Sequence, residues 1–133
     1  MSSTGNLPIV QALYAAFGRR DNAAVRAVMT PDIEWKQMDG FPRGGRYIGP
    51  DEIFARVFQG FRDQWQDWQA VVTEYLDAGD DIIAIGYYAG TFSATGRACR
   101  SEFAHRYTVR GGRIVRFGQY ADTLRVAQAM GLA

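Results

Sequence analysis

Four consecutive segments in the second half of the chain have a hydrophobic period of two and are joined by short turn sequences. The predicted strands cover about residues 67–77, 82–94, 99–109 and 113–121. The sequences between them, AGDD, ATGR and RGGR, are typical of turns that connect antiparallel neighbours. We therefore expect a long antiparallel meander, and a sheet with an apolar face needs a second layer to cover it.

The residues before the meander predict helices for that layer. Near the start of the chain, apolar residues recur three and four positions apart, which predicts an amphipathic helix with Asn6 as its N-cap and an end near Gly18. A second helix is predicted to begin at Asp21, a good capping residue. It should end before Pro31, because proline disfavours helix in the residue that precedes it.

A strand, a loop and a third helix are predicted next. IEWKQM (33–38) alternates like a short strand, and DGFPRGG (39–45) has the composition of a loop. GPDE (49–52) places a proline and two acidic residues where a helix begins, and DTLRVAQAMG is predicted to form a last helix. Helices followed by antiparallel strands indicate an α+β domain. A concave space between its two layers would suit a small molecule.

The composition excludes several classes of protein. A length of 133 residues suits one domain spanning residues 1–133. No apolar run reaches the roughly 20 residues of a membrane span, and the N-terminus lacks the pattern of a signal peptide. We therefore expect a cytoplasmic protein with no membrane partner. With one cysteine, Cys99, and one histidine, His105, an intramolecular disulfide is excluded and a zinc site is not expected, so we predict no metal and no cofactor.

The charge distribution is uneven although the formal net charge is +1. Seven arginines lie from Arg97 onward, against only Glu102 and Asp122. They form either a face that attracts anions or a solvated face of the sheet. The second interpretation is favoured because no nucleic-acid-binding motif accompanies them, and no nucleic-acid partner is predicted.

Four long segments resemble the SnoaL-like branch of the nuclear transport factor 2-like, or ketosteroid isomerase-like, superfamily. They are AAFGRRDNAAVRAVMTPDIEW (15–35), YIGPDEIFARVFQGF (47–61), GDDIIAIGYYAGTFSATGR (79–97) and FAHRYTVRGGRIVRFGQYADT (103–123). The resemblance implies a cone-shaped α+β barrel, in which three N-terminal helices pack on a curved, mixed, mostly antiparallel sheet that encloses a pocket. It also implies a homodimer formed through the outer face of the sheet.

His105 is the first candidate for a catalytic residue. In a strand covering 99–109, alternation places it on one face with Phe103 and Tyr107, which suggests the pocket side. An imidazole there could orient a carboxylate, donate to a substrate carbonyl or exchange a proton. A structural histidine with satisfied hydrogen bonds is the alternative.

Asp122 is the second candidate. Inside an apolar cavity its pKa would rise, which would make it a better base for removing a proton next to a carbonyl group. The resemblance to polyketide cyclases of this family implies that role, with His105 nearby. The alternative is an N-cap for the last helix.

Other enzymes of the superfamily match less well. Ketosteroid isomerases have a catalytic tyrosine on helix one where this sequence has Leu13, with Tyr14 beside it, and a basic aspartate where it has Gln37. Steroid isomerisation by their mechanism is therefore not expected. Limonene epoxide hydrolases use an Asp–Arg–Asp set, for which Asp122 has no second aspartate.

The remaining candidates would line the pocket or hydrogen-bond its ligand. They are Tyr14, Phe17, Trp35, Phe54, Phe58, Tyr88, Phe103, Tyr107, Gln119 and Tyr120. The hypothesis that follows is a protein that binds a small hydrophobic molecule and catalyses cofactor-free proton transfer on a carbonyl compound. The alternative is a noncatalytic module that binds an apolar ligand or only dimerises.

Overall fold

The computed structural model describes residues 5–133, and the helices and strands follow the predicted order. The helices are α1 (Leu7–Gly18), α2 (Asn22–Ala27), α3 (Pro50–Ile53), α4 (Gln59–Gln64) and α5 (Thr123–Ala129). The strands are β1 (Met29–Gln37), β2 (Gly45–Ile48), β3 (Trp65–Ala78), β4 (Asp81–Phe92), β5 (Arg97–Arg110) and β6 (Arg113–Ala121). The α+β class is confirmed.

The six strands form one sheet in the order β2-β1-β6-β5-β4-β3. β1 and β6 run parallel, and every other neighbouring pair is antiparallel. The prediction of a mixed, mostly antiparallel sheet is therefore confirmed. The predicted meander forms β3 to β6, and β1 joins it at the far side of β6.

The helices cover the apolar face of this sheet. α1 contacts β3 and β6, α2 and α3 contact β1, α4 contacts β3, and α5 contacts β5. The buried apolar side chains form one cluster between the two layers. Trp35 stacks on Phe117 there, with ring centroids 3.8 Å apart. In residues 5–133, no helix is both long and apolar enough to cross a membrane.

The predicted third helix is three consecutive segments. A π-helical turn, Phe54–Phe58, separates α3 from α4. Such a turn inserts an extra residue into the helix and is frequent at functional sites. Phe54 and Phe58 lie at its two ends with ring centroids 5.0 Å apart.

All three residues predicted as caps occupy N-cap positions, and two of them cap the helix with their side chains. Asp21 accepts a hydrogen bond from the backbone N–H of Ala24 at 3.1 Å, and Asp122 accepts one from Arg125 at 3.2 Å. Asn6 occupies the predicted N-cap position of α1, but its side chain makes no cap hydrogen bond. Its Nδ2 donates instead to the carbonyl oxygen of Gly79 at 2.9 Å, which ties the start of α1 to the β3–β4 turn.

β1 and β2 differ most from the prediction. β1 begins at Met29, four residues before the predicted start, and its pairing with β6 is irregular between Met29 and Glu34. Pro31 lies in this irregular stretch and has no N–H to donate to a neighbouring strand. Gly45, assigned to a loop from the sequence, starts β2, which pairs with the outer edge of β1.

Candidate functional site

Residues at every second position of β5 point into the interior. Ser101, Phe103, His105, Tyr107 and Val109 are all buried, as the alternation predicts. Arg100, Glu102 and Arg106 lie on the opposite face and are exposed. Only 3% of His105 is exposed to solvent. The candidate site is therefore built around a buried imidazole.

Both ring nitrogens of His105 are hydrogen-bonded to tyrosine hydroxyls. The hydroxyl of Tyr14 lies 2.5 Å from Nδ1, and the hydroxyl of Tyr88 lies 2.5 Å from Nε2. Tyr107 donates to the hydroxyl of Tyr14 at 2.8 Å, and Nε2 of Gln119 donates to the hydroxyl of Tyr88 at 2.7 Å. We call these five residues the His105 network.

Four structural elements contribute to the His105 network. α1 provides Tyr14, β4 provides Tyr88 and β6 provides Gln119, which is the direct cross-strand partner of His105. The residue predicted to match the catalytic tyrosine of ketosteroid isomerases, Leu13, is fully buried. The hydroxyl beside His105 belongs to its neighbour Tyr14 instead.

Burial keeps the network uncharged. It lowers the pKa of His105 to about 3, because a buried imidazole is harder to protonate. It also raises the pKa of Tyr14, Tyr88 and Tyr107 above the ordinary value. At neutral pH the site therefore holds a neutral imidazole and neutral phenols.

The network contains one more hydrogen than its bonds require. Tyr107, Tyr14, His105 and Tyr88 are linked in a row by three hydrogen bonds. A neutral imidazole carries one N–H and each tyrosine carries one O–H, and Gln119 supplies its own hydrogen to Tyr88. These four residues therefore have four hydrogens for three bonds. The N–H of His105 takes part in one of the bonds, so one tyrosine hydroxyl hydrogen has no acceptor among the described partners.

Aromatic side chains surround the network. Phe103 stacks on His105 with ring centroids 3.7 Å apart, and Phe117 packs against the same imidazole at 5.0 Å. Among the predicted pocket residues, Trp35, Tyr88, Phe103, Tyr107 and Gln119 are buried. Tyr14, Phe17 and Phe58 are partly buried against the same core. Phe54 is partly buried and stacks under the guanidinium of Arg26 at 4.4 Å.

Tyr120 and Asp122 lie outside the interior. Val115 is an extra residue in β6, because Thr108 pairs with Arg116 while Val109 pairs with Ile114. This β-bulge reverses the alternation that the sequence suggests. Gln119 therefore points inward, and Tyr120 is 59% exposed on the outer face.

Asp122 serves as the N-cap of α5. Its side chain accepts from the backbone N–H of Arg125 at 3.2 Å and is 42% exposed. This is the helix-cap alternative raised from the sequence. The His105 hydrogen bonds go to tyrosines, so the two candidate catalytic residues do not bond each other.

Phe41 lies beside the site but is not among the residues predicted from the sequence. It is the one large apolar residue in DGFPRGG and was assigned to a loop on the turn-forming residues around it. In the structure Phe41 is only 3% exposed, and its ring centroid lies 5.2 Å from that of Tyr88. A phenylalanine isolated among loop formers could have indicated a buried anchor.

Two cavities in the described part of the chain lie away from His105. One, of about 400 Å³, is lined by outer-face residues that include Ile85, Tyr87 and Tyr120. The other, of about 430 Å³, lies between α2 and the π-helical turn and includes Arg26 and Arg62. Among residues 5–133, no three His, Cys, Asp or Glu side chains come together as a metal-binding group.

Gln37 occupies the position matched to the basic aspartate of ketosteroid isomerases. It is buried, and its Oε1 accepts from the indole N–H of Trp35 at 3.2 Å. Its Nε2 donates to the carbonyl oxygen of Pro42 at 3.5 Å. A neutral amide held in this way positions a loop and supplies no base.

The chain is similar to known proteins over most of its length. The SnoaL-like domain family matches residues 10–117. An uncharacterised protein of Mycobacterium tuberculosis is 30% identical over 124 residues, which cover 92% of this chain and 93% of its own. The crystal structure of an NTF2-like protein from Burkholderia thailandensis is 43% identical, with a TM-score of 0.90 over 92% of this chain and 95% of that one.

A second crystal structure extends the match. An NTF2-like protein of unknown function from Burkholderia pseudomallei is 29% identical, with a TM-score of 0.86 over 97% of this chain and 98% of that one. The family match over residues 10–117 includes most of α1 and all of β4 and β5, which carry four of the five residues of the His105 network. The chain belongs to the SnoaL-like family, within the NTF2-like superfamily.

Proposed function

We propose that the protein binds a small, mostly apolar molecule and hydrogen-bonds an acceptor oxygen of that molecule, such as a carbonyl, through the His105 network. The observation that carries this proposal is the tyrosine hydroxyl hydrogen without an acceptor in a buried, neutral network. A buried donor without a partner costs free energy, and an acceptor on a ligand would remove that cost. The aromatic surroundings favour an apolar body for the ligand.

The same arrangement supports polarisation of the bound carbonyl. Hydrogen-bond donors that are fixed in a site without water stabilise negative charge on an oxygen more than they would in water. Tyr14 and Tyr88 are held by His105, so their orientations are set before a ligand arrives. The ligand oxygen would therefore meet a preorganised donor.

Proton transfer on the bound carbonyl compound has less support. Among the described residues, no aspartate or glutamate is buried. His105 is a weak base, because burial lowers its pKa to about 3. Asp122, the base expected from the family resemblance, would have to leave its cap at α5. Binding with polarisation is therefore the function that the geometry favours.

A matched pair of ligands tests the proposal. 2-Acetylnaphthalene carries a carbonyl group, and 2-ethylnaphthalene has a similar shape without it. One hydrogen bond should make the ketone bind about 3- to 10-fold more tightly in isothermal titration calorimetry. The infrared carbonyl stretch of the bound ketone should fall relative to the ketone in hexane, and Tyr88→Phe should reduce both effects.

Two results would contradict the proposal. Equal affinities for the ketone and the hydrocarbon would show that the protein makes no hydrogen bond to the carbonyl oxygen of the ligand. If neither compound bound, the proposal of a hydrophobic binding site would be refuted as well.

We also propose that the outer face of the sheet pairs with a second copy of the chain. Ile83, Ile85 and Tyr87 are only half-buried on that face, and Leu76 on the neighbouring strand is 49% exposed. Sedimentation equilibrium at micromolar concentration should give the mass of a dimer. Ile85→Glu should give a folded monomer, and a monomeric wild-type protein would refute this proposal.

A further inference from the structure

The loop between β1 and β2, residues 38–44, inserts one aromatic ring into the core. Phe41 lies against three other rings, with centroids 5.2 Å from Tyr88, 5.9 Å from Phe61 and 6.3 Å from Trp68. We call Phe61, Trp68 and Tyr88 the aromatic cleft. Within it Trp68 stacks on Phe61 at 4.6 Å and on Tyr88 at 4.9 Å.

The cleft and the His105 network share one residue. The ring of Tyr88 forms a wall of the cleft, and its hydroxyl binds Nε2 of His105. A ring in the place of Phe41 would therefore lie beside the donors that we propose for the ligand oxygen. Phe41 occupies the position that suits the apolar part of such a ligand.

The loop is also connected to the network at its first residue. The backbone N–H of Met38 donates to Oε1 of Gln119 at 3.0 Å, and Nε2 of the same amide donates to the hydroxyl of Tyr88. Displacement of the loop would break the Met38 bond and release one end of the Gln119 amide. The position of the loop therefore affects the hydroxyl that faces His105.

The side chain of Arg43 connects the loop to α4. The guanidinium of Arg43 lies where a side chain on residue 60 would begin, since a β-carbon there would be 2.0 Å from Nε. The guanidinium also donates to Oε1 of Gln64 at 3.4 Å. Arg43 itself has a φ of 65° and Gly40 has a φ of 87°, so the loop backbone adopts left-handed conformations at two positions.

The tryptophan next to the cleft has an unused donor. Nε1 of Trp65 is buried and has no hydrogen-bond partner among residues 5–133. The ring of Trp65 packs on that of Trp68, with centroids 4.8 Å apart. Buried donors are nearly always bonded, so this N–H beside the cleft is an exception.

We propose that Phe41 fills the ring subsite of the binding site, and that loop 38–44 must move away before a ligand binds. The ligand class is a planar, uncharged aromatic molecule, whose ring replaces Phe41 between Phe61, Trp68 and Tyr88 while its acceptor oxygen reaches the Tyr88 side of the His105 network. This inference rests on the proposed function for the identity of the ligand. The movement of the loop can be measured without any ligand.

Two variants test separately the ring of Phe41 and the contact between its loop and α4. Phe41→Ala removes the ring that fills the cleft. Gly60→Ala leaves the Phe41 ring in place but displaces the flexible guanidinium of Arg43, which should break its bond to Gln64 and loosen the loop from α4. Gly18→Ala is the matched control, because outside its chain neighbours and its own helix backbone the added carbon has no atom within 4 Å.

The first measurement uses no ligand. Acrylamide quenching of tryptophan fluorescence should increase in Phe41→Ala and Gly60→Ala, since Trp68 becomes accessible when the loop opens. Gly18→Ala should match wild type. Wild-type quenching in both test variants would overturn the gating inference.

The second measurement is the affinity for 2-acetylnaphthalene by calorimetry. If the closed loop reduces the binding-competent fraction, apparent affinity should rise by about tenfold in Phe41→Ala and rise in Gly60→Ala, because affinity scales with that fraction. Increased quenching with unchanged affinity in Phe41→Ala would overturn the ring subsite. Increased quenching with no binding in any variant would refute the proposed function and the ring subsite, while the mobile loop would stand.

Discussion

The hydroxyl of Tyr88 lies 2.5 Å from Nε2 of His105, and both residues are buried. The same hydroxyl accepts from Nε2 of Gln119 at 2.7 Å. Tyr88 therefore satisfies two other buried polar groups. Loss of this hydroxyl should therefore affect both His105 and Gln119.

Tyr88→Phe should lower the free energy of unfolding by about 1–3 kcal/mol, because it leaves buried polar atoms of His105 and Gln119 without a partner. Urea denaturation monitored by circular dichroism measures the change. Tyr87→Phe is the matched control, since Tyr87 lies on the outer face of the same strand under Arg100. Equal effects of the two substitutions would show that the His105 network contributes little to stability.

Stability should fall as the pH is lowered from 6.5 toward 3. The pKa of His105 is lowered from its ordinary value of 6.5 to about 3 by burial, so the unfolded chain takes up a proton that the folded protein resists. The stabilisation from the neutral imidazole is complete above pH 6.5 and should be reduced by roughly 2 kcal/mol at pH 5. Urea midpoints at pH 7.5 and pH 5 measure this difference.

His105→Gln is the control for that prediction, and it should have much the same midpoint at both pH values. Two other groups lose stabilisation mainly at lower pH. Arg46 lowers the pKa of Glu34 from 4.5, and Thr108 and Arg106 lower that of Asp81 from 3.8. A wild-type midpoint that does not change between pH 7.5 and 5 would contradict the burial of His105.

Asp122 should behave as a helix cap. Asp122→Ala should lower the free energy of unfolding by about 1 kcal/mol, while Asp122→Asn should keep most of it, because an asparagine oxygen can also accept from the N–H of Arg125. A second readout tests the alternative role as a base. If Asp122→Asn abolished protein-dependent deuterium exchange at the methyl group of bound 2-acetylnaphthalene, Asp122 would be a base and not only a cap.

Gly86→Ala should destabilise the sheet strongly. A β-carbon on Gly86 would lie 1.9 Å from the carbonyl oxygen of Val71, at the place where the register of β3 and β4 shifts. Backbone on both sides must move, so we expect a loss of about 2 kcal/mol or more in urea denaturation. Gly118→Ala, whose nearest atom would be 3.9 Å away, should change stability far less. Similar losses would show that the close approach is unimportant.

Much of the fold could be predicted because the relevant patterns are local. Alternation in 99–109 places His105 and Phe103 on the inner face, and the capping role of Asp21 depends on residues three positions away. The hydrogen bonds of the His105 network could not be predicted in this way. Its bonds join Tyr14 to His105 across 91 residues and Tyr88 to His105 across 17, and no local pattern specifies such pairs.

The errors have the same origin. Asn6 occupies the predicted N-cap position, but its amide bonds the carbonyl of Gly79, which is 73 residues away, and does not cap α1. The bulge at Val115 reverses the alternation in β6, which sends Tyr120 outward and Gln119 inward. The turn-forming residues around Phe41 predict an exposed loop, but the ring of Phe41 packs against Tyr88 in the core. In each case a distant partner outweighs a local preference.

The parallel pairing of β1 with β6 has a consequence for how the chain folds. Thr30 in β1 donates to the carbonyl oxygen of Ile114 in β6, and 84 residues separate them. During synthesis on the ribosome, that side of β1 has no strand partner until β6 has left the exit tunnel. Pairings between such distant segments slow folding. We therefore expect this edge of β1 to remain open to aggregation until the sheet closes.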